Sequence, residues 1–504
     1  MLSLEELIYL TQKFRFNNKI YIHPIKYGSM KNPEEGLKKP KKNLLVKVIA
    51  IAIAVVVIGV VIYEMLPYVL PKPAPVQTLE VYPGPSGPAN SDHLLGGCVI
   101  GEANTTGLSG SKVAAMDTFI SYMLSPPVQF ACEKATGFIP ISSHNTSVMP
   151  ADLYKGSTTV DITYFTSISP SDYTFTKSMV NAFNSHYTNI KVTSKDEVAT
   201  SIITGVESDI GAKTTTPIVV SIDNLDIGVL AYHHFLANMN YNGTLNAQSV
   251  MPAHVIPSIV KLTNYTSTVF AGSIPFITQI INTPLVWIDQ TALKAAGISK
   301  EPQNYTALLS DAKTLFNKYH RGMINFQGHG GASTATELYQ LFVQFGGNPV
   351  MFNSTHDVSA MYYVYNLSKY FSPEYKTSYW ASYKGLAANK YTMMDYQWPG
   401  SVDLKTVGMN TTQISGSNSV LNVSIKALSE GVFIRDPVPW IGHWQTLMDN
   451  VWTSLILDGH SQNYTTISSA LNSVNSQMFN YLVANYNLTV AHDYEKGMYK
   501  PIIV

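Results

Sequence analysis

The chain has 504 residues, with 33 Lys plus Arg against 33 Asp plus Glu, so no basic field points to nucleic acid. Charged residues make up 13% of it, about half the ~25% of typical soluble domains, and Ser, Thr, Asn and 31 Tyr take their place. A surface of neutral polar groups keeps its character when carboxylates protonate, which fits an acidic extracellular setting; a heavily glycosylated surface of any origin fits equally.

Residues 1–43 read as a cytoplasmic segment, of which 1–29 have no evident role, and Met30 is a second candidate start. The stretch 44–70 reads as a membrane anchor. Its core, Leu44 to Tyr63, is apolar except for Lys47. Twenty residues at 1.5 Å rise span a hydrocarbon core of about 30 Å. Lys47 lies near one end and can snorkel. No small-x-small cleavage site follows, so the anchor is expected to stay. Lys31, Lys38, Lys39, Lys41 and Lys42 precede it and only Lys72 follows closely. The positive-inside rule then places the remainder outside the cell.

Pro71, Pro73, Pro75, Pro83, Pro85 and Pro88 make 71–88 a semi-rigid linker. Asn-x-Ser/Thr sequons occur at Asn104, Asn145, Asn242, Asn264, Asn304, Asn353, Asn366, Asn410, Asn422, Asn463 and Asn487, all beyond the anchor. That one-sided distribution suggests an exported glycoprotein. Cys98 and Cys132 are the only cysteines. An even count in an oxidising compartment favours a bridge between them.

Strands and helices alternate beyond the linker. Val160–Phe165 is apolar and β-branched enough for a buried strand, and Ile190–Thr193, Pro217–Ile222 and Leu285–Ile288 read as further strands. Thr174–His186, Ile227–Asn238, Ala292–Ala296 and Tyr305–Tyr319 carry helical spacing. Such alternation implies βαβ units and parallel sheets covered by helices.

Residues 111–143 read SKVAAMDTFISYMLSPPVQFACEKATGFIPISS. This resembles the "KEAAWEFIKFLTSPEAQ…ATGYLPV" segment of the extracellular solute-binding proteins (family 1) that feed sugars to ABC transporters. Ala114, Ala115, Phe119, Ser125, Pro126, Gln129, Ala135, Thr136, Gly137 and Pro140 fall in register. VDITYFTS followed by MVNAFNSHYTNIKVT is similar to the family's opening strand, helix and strand. PIVVSIDNLDIGVLA, GSIPF…LVWIDQTALKAAGI, TMMDYQWPGS and DPVPWIGHWQTLMDNVWTSLILDG resemble later family segments. Together these cover most of 90–485.

The resemblance implies an α/β, two-lobed, periplasmic-binding-protein-like (type II) fold, here with an N-terminal transmembrane helix. It departs from the family in order, since the ATGFIP segment comes first. The relocation implies that 89–271 form lobe one and 276–504 form lobe two. A single crossing is then expected, near Gly272 to Phe276.

The resemblance also implies site residues. Trp398 and Trp444 match aromatics that stack on sugar rings. Asp223 and Asn224 match a loop that holds hydroxyl groups, and Thr166 and Ser167 end the first strand, the usual ligand side of an open parallel sheet. The Gly96-Gly97 backbone, the loop Gln327 to Gly331 with His329, and His443 complete the set. Trp452, one helical repeat past Trp444, reads as core.

Other chemistry finds little support in the residues. Gly328 to Gly331 (GHGG) lacks the Lys-Ser/Thr of a P-loop. Without HExxH, CxxC or an Asp-rich loop, no metal and no cofactor are expected. The expected function is capture of a carbohydrate between two lobes, outside the cell, and its delivery to ABC permease subunits, without catalysis. The alternatives are a structural or adhesive glycoprotein and, less favoured, a glycoside hydrolase.

Overall fold

Two separate sheets organise the chain, and a small third sheet joins them. The computed structural model describes residues 79–504 except 169, 240–249, 253, 353, 379–381, 383, 387, 389, 398–419, 459–461 and 504. The expected anchor and its flanks, Trp398, and the sequons at Asn242, Asn353 and Asn410 lie outside the described residues. Among the described residues no helix is long and apolar enough to cross a membrane.

The first sheet runs β5 (Ile190–Asp196), β4 (Val160–Thr166), β6 (Ile218–Asp223), β3 (Cys98–Glu102) and β7 (Ile277–Thr278). β4 is parallel to β5 and β6, while β3 is antiparallel to β6 and β7. Side chains alternate between two apolar cores, as period-2 geometry requires. Ile162, Tyr164 and Val219 face one, and Phe165, Ile218, Val220 and Ile222 face the other. Helices cover both faces, which is why central β6 is buried almost end to end, while edge strand β5 alternates buried and exposed residues. On the first face lie α1 (Gly110–Leu124), α2 (Pro126–Thr136), α3 (Pro170–His186) and α6 (Pro257–Val269). On the second lie α4 (Ala199–Gly211) and α5 (Ile227–Tyr232).

Local chemistry sets the ends of these elements. The Ser109 side chain caps α1 by accepting from the Lys112 amide. Pro126 holds Ser125 extended and separates α1 from α2. Gly137, at φ 79°, ends α2 in a left-handed cap. α5 stops six residues before its expected end at Asn238. His234 turns left-handed at φ 58°, and the amide of Ala237 then donates to the Glu102 carbonyl at 2.7 Å. Edge pairing with β3 thus replaces helix there.

The second sheet has the order β1 (Leu79–Tyr82), β8 (Leu285–Asp289), β10 (Met393–Gln397), β9 (Ile324–Asn325). Around it pack α7 (Gln290–Ala295), α8 (Tyr305–Tyr319), α9 (Gly331–Gln344), α10 (Thr355–Ser368), α11 (Val420–Glu430), α12 (Ile441–Trp452), α13 (Tyr464–Asn485) and α14 (Leu488–Glu495). Asn304, Asn463 and Asn487 are exposed sequon residues whose side-chain oxygens cap α8, α13 and α14. A cap uses the amide oxygen, so the nitrogen that would carry a glycan remains. Asn104, Asn145, Asn264 and Asn422 are also exposed, and Asn366 is half-buried.

The joining sheet has the order β12 (Ile502–Ile503), β11 (Val432–Ile434), β2 (His93–Leu94). This arrangement corrects two expectations. Residues 79–82 are not linker: they pair antiparallel with β8, because Leu79 and Val81 alternate into a core with Leu285 and Trp287. Nor does the chain cross once between lobes split at 271 and 276. It begins in the second sheet, enters the first through 83–97 and returns through 279–284. β11 then pairs with β2, so Leu428, Val432 and Ile434 pack in the first sheet's core while Phe433 faces the second's.

The expected disulfide is also absent. Cys98 and Cys132 are both buried free thiols. The Cys132 sulfur lies 3.5 Å from Thr136 Oγ1, one turn along its own helix. Burial pushes the Cys132 thiol up to about 12 and raises that of Cys98 as well. Neither is then a ready thiolate for bridge formation.

Buried carboxyls give the fold an acid-favouring balance. Glu102 and Asp117 are 2% and 4% exposed and hydrogen-bond to each other. Burial raises Glu102 well above the carboxylate range and Asp117 to about 7. Burial also raises Asp436 to about 7, offset in part by the Lys500 amide, and Asp357 to about 6. These groups hold protons in the folded chain that the unfolded chain has released. Stability therefore falls as pH rises from about 4, the unfolded carboxylate value, through the folded values. We expect the melting temperature to climb on acidification between these limits, with each group contributing up to about 1.4 kcal/mol per pH unit. Asp117→Asn should flatten the profile. Melting curves that are flat, or that rise with pH across this window, would contradict the assignment.

Candidate functional site at the junction of the two lobes

The carboxyl ends of β4 and β6 meet the second lobe. Thr166 ends β4 opposite Ser221, and the Ser167 amide donates to the Ser221 carbonyl at 3.1 Å. Asp223 ends β6, and Asn224 follows it. The Asn224 amide donates to the Gly97 carbonyl, and its side-chain nitrogen donates to the Leu95 carbonyl at 2.9 Å. Gly96 and Asn282 exchange two backbone hydrogen bonds at the return crossing. A Cβ on Gly97, at φ 113°, would collide with the Ile280 carbonyl. Thr166, Ser167, Asp223, Asn224, Gly96 and Gly97 therefore share one end of the first sheet. The two glycines serve a close crossing of chains there.

Arg435 completes this cluster. It directly follows β11 and is 4% exposed. Its Nη2 donates to Asp223 Oδ1 at 2.8 Å and to Asn224 Oδ1 at 2.9 Å. Its Nη1 donates to Thr336 Oγ1, on α9, at 3.0 Å. One guanidinium thus links β6 of the first lobe to a helix of the second. Its Nε has no partner among the described residues. Asp223 keeps 47% of its side chain exposed, so the pair sits at the edge of solvent. Nearby, burial and then the Asp223 charge raise Asp226 to about 6, with Arg435 opposing. The lobes touch again where Gly228 of α5 meets Pro437: a Cβ there would strike the Pro437 carbonyl. Tyr232 meets Tyr486 edge-on at 6.0 Å.

Sequence reading missed Arg435 and Thr336. A signal existed for the first, since Arg435 is one of three arginines in a chain with thirty lysines. Arginine is the residue suited to multidentate pairing in a buried site.

The second-lobe candidates do not join the cluster in the expected way. The Gln327 amide donates to Glu337 Oε2 at 2.8 Å. The Gly328 carbonyl accepts from Trp452 Nε1 at 2.9 Å, and the Gly331 amide donates to Asp449 Oδ1 at 2.8 Å. These bonds fix the Gln327 to Gly331 turn against α12. His329 is exposed, with Nδ1 3.2 Å from the Lys376 carbonyl. Trp452 is buried and stacks on Phe326 at 5.0 Å, as a core residue does. Trp444 is also core, not a stacking surface. It is 1% exposed, meets Tyr339 edge-on and donates to the Pro349 carbonyl at 2.8 Å. His443, beside it on α12, stacks instead on Tyr481 of α13 at 3.7 Å. Helical spacing turns these neighbours in different directions.

No group of three or more His, Cys, Asp or Glu is placed to hold a metal among the described residues. What the cluster offers is directional hydrogen bonding: a carboxylate, an amide, a hydroxyl and a guanidinium converging from two lobes. Hydroxyl-bearing solutes both donate and accept, and match such a set.

Two predictions separate the roles. Arg435→Ala leaves Asp223 and Asn224 without their partner and should cost about 1–3 kcal/mol. It should also loosen the lobes, seen as a larger radius of gyration in small-angle scattering. An unchanged radius and melting point would rule out a lobe-joining role. Trp444→Ala empties a filled core position and should cost about 3–5 kcal/mol; a near-neutral effect in denaturant titration would contradict its burial.

No family model matches the chain, and no curated protein does. Solved structures give likenesses at low identity. The sugar-binding protein MalE from Xanthomonas citri aligns at 11% identity and TM-score 0.49, covering 64% of this chain and 99% of that one. A putative oligosaccharide periplasmic-binding protein from Synechococcus sp. MITs9220 aligns at 13% and TM-score 0.48, covering 64% and 100%. The GacH receptor of Streptomyces glaucescens GLA.O aligns at 11% and TM-score 0.48, covering 65% and 99%. The chain is similar to maltose- and oligosaccharide-binding substrate-binding proteins of ABC transporters.

Proposed function

We propose that this chain is a solute-binding protein for a carbohydrate, held between its two lobes and handed to an ABC permease. The observation that carries the reading is the convergence of Asp223 and Asn224 with Arg435 and Thr336 across the lobe junction. A sugar hydroxyl can replace each of these contacts one for one. It can donate to Asp223 while accepting from Arg435, so exchange of the ion pair for a ligand costs few hydrogen bonds. The family-like segments of the sequence support the same reading, and they bring with them a binding role in place of catalysis. Leu44 to Tyr63 would tether the protein outside the cell, and exposed sequons would carry glycans. The solved proteins named above are described as a sugar-binding protein, a putative oligosaccharide periplasmic-binding protein and a receptor in complex with acarbose, which sets the choice of probes.

Closure follows if the ligand binds the joined lobes better than separated ones. A thermal-shift screen of the chain against mono- and oligosaccharides tests this. A true ligand at one hundred times its dissociation constant adds about 2.7 kcal/mol, and Asp223→Ala should remove the shift. Release of hydrolysis products would point to an enzyme. Absence of any shift across the panel would sink the carbohydrate reading.

A further inference from the structure

A second candidate site, sharing no residue with the Asp223–Arg435 cluster, lies under the turn that follows β1. A cavity of about 260 Å³ opens there. Its floor is Val286 and Ile288 of β8, and the rings of Pro83, Pro85 and Pro302 wall it. The turn is fixed. Gly84 has φ 124°, where a Cβ would press on Val286 at 3.3 Å. Ser86 donates through both its amide and its hydroxyl to the Gln303 carbonyl, at 3.0 and 3.1 Å. The Tyr305 amide donates back to the Ser86 carbonyl. The cavity is therefore built from braced backbone.

Its rim is charged, with an excess of one negative charge. Glu301 and Glu430 stand against Lys426. Glu430 is held ionised: its hydrogen bond to His93, then the charges of His93 and Lys426, lower its carboxyl against the effect of burial. His93 lies beneath, 1% exposed, with Nε2 3.4 Å from Glu430 Oε2. The Tyr82 hydroxyl donates to Glu80 and accepts from Gln290 at 2.7 Å, which settles that wall.

We propose that this cavity binds a single-ring polyol carrying an ammonium group, of which an amino sugar is the simplest example. Ring size follows from volume, since the cavity falls below the ~300–1,000 Å³ of sites for larger ligands. The apolar floor and proline walls suit the C–H face of a saturated ring. Glu301 and Glu430 take the ammonium, and Lys426 donates to a hydroxyl. The site does not depend on the reading of the Asp223–Arg435 cluster.

The test uses calorimetry on the full chain with glucosamine, glucose and gluconate as probes. Glucosamine should bind saturably, at least tenfold more tightly than glucose, and gluconate should not bind. Added salt should weaken it. Glu301→Gln, isosteric and on the surface, should remove the preference for glucosamine. Lys426→Gln should tighten binding several-fold, an outcome that misfolding cannot mimic. Asp223→Ala should leave glucosamine binding unchanged. The proposal is overturned if glucosamine shows no saturable binding or no preference over glucose. It is equally overturned if its binding survives Glu301→Gln and is lost with Asp223→Ala.

Discussion

The pairing of β11 with β2 is the constraint on which the rest of the structure hangs. Val432 and Phe433 lie beside His93 and Leu94 in parallel register. The residues that join are more than three hundred positions apart. Gly431 allows the approach: at φ 139° it abuts the Asp92 side chain, where a Cβ would collide. The Leu95 amide continues the ladder to the Phe433 carbonyl at 2.8 Å. Three residues of strand thus tie two distant segments of the chain together. Arg435 emerges one residue later, and the pairing alone delivers it to Asp223.

That same segment explains how two lobes share one scaffold. Alternate side chains of β11 point into different cores: Val432 and Ile434 into the first, Phe433 into the second. A strand with both faces buried is apolar throughout, and VFI is. The lobes are therefore joined through a small sheet whose side chains are buried on either face, beside the return crossing at 279–284. Further contacts between them lie outside it, at Arg435 and at the Gly228–Pro437 approach.

Electrostatics run in one direction through the molecule. Most resolved carboxyl shifts are upward and begin with burial, with Glu430 the exception through His93. A chain with few charges has few cations to place beside buried carboxyls, so desolvation wins. The neutral polar surface and the protonated interior point the same way. Both favour a fold that is at ease in acid.

Much of the first sheet was legible in the sequence, because β4 and β6 are largely apolar and β-branched and β5 alternates Ile190 and Val192 with polar residues. α8 was legible to the residue, since Asn304 caps it and Leu308, Ala312 and Leu315 mark its buried face. Asp223 and Asn224 were found as residues of the junction because they end a strand. β1 was hidden between flanking prolines, which read as linker, and its pairing with β8 depends on a partner two hundred residues away. Trp444 looked like a ligand surface because a tryptophan carries no mark of which side it faces; Tyr339 and the Pro349 carbonyl meet it in the core, where it is buried. The cysteines looked paired by count, yet a bridge requires a geometry that no count contains. Local pattern determined the elements and their apolar faces. Tertiary structure alone decided which distant segments cross, which polar groups meet and which aromatics are left to solvent, since those are set by long-range packing.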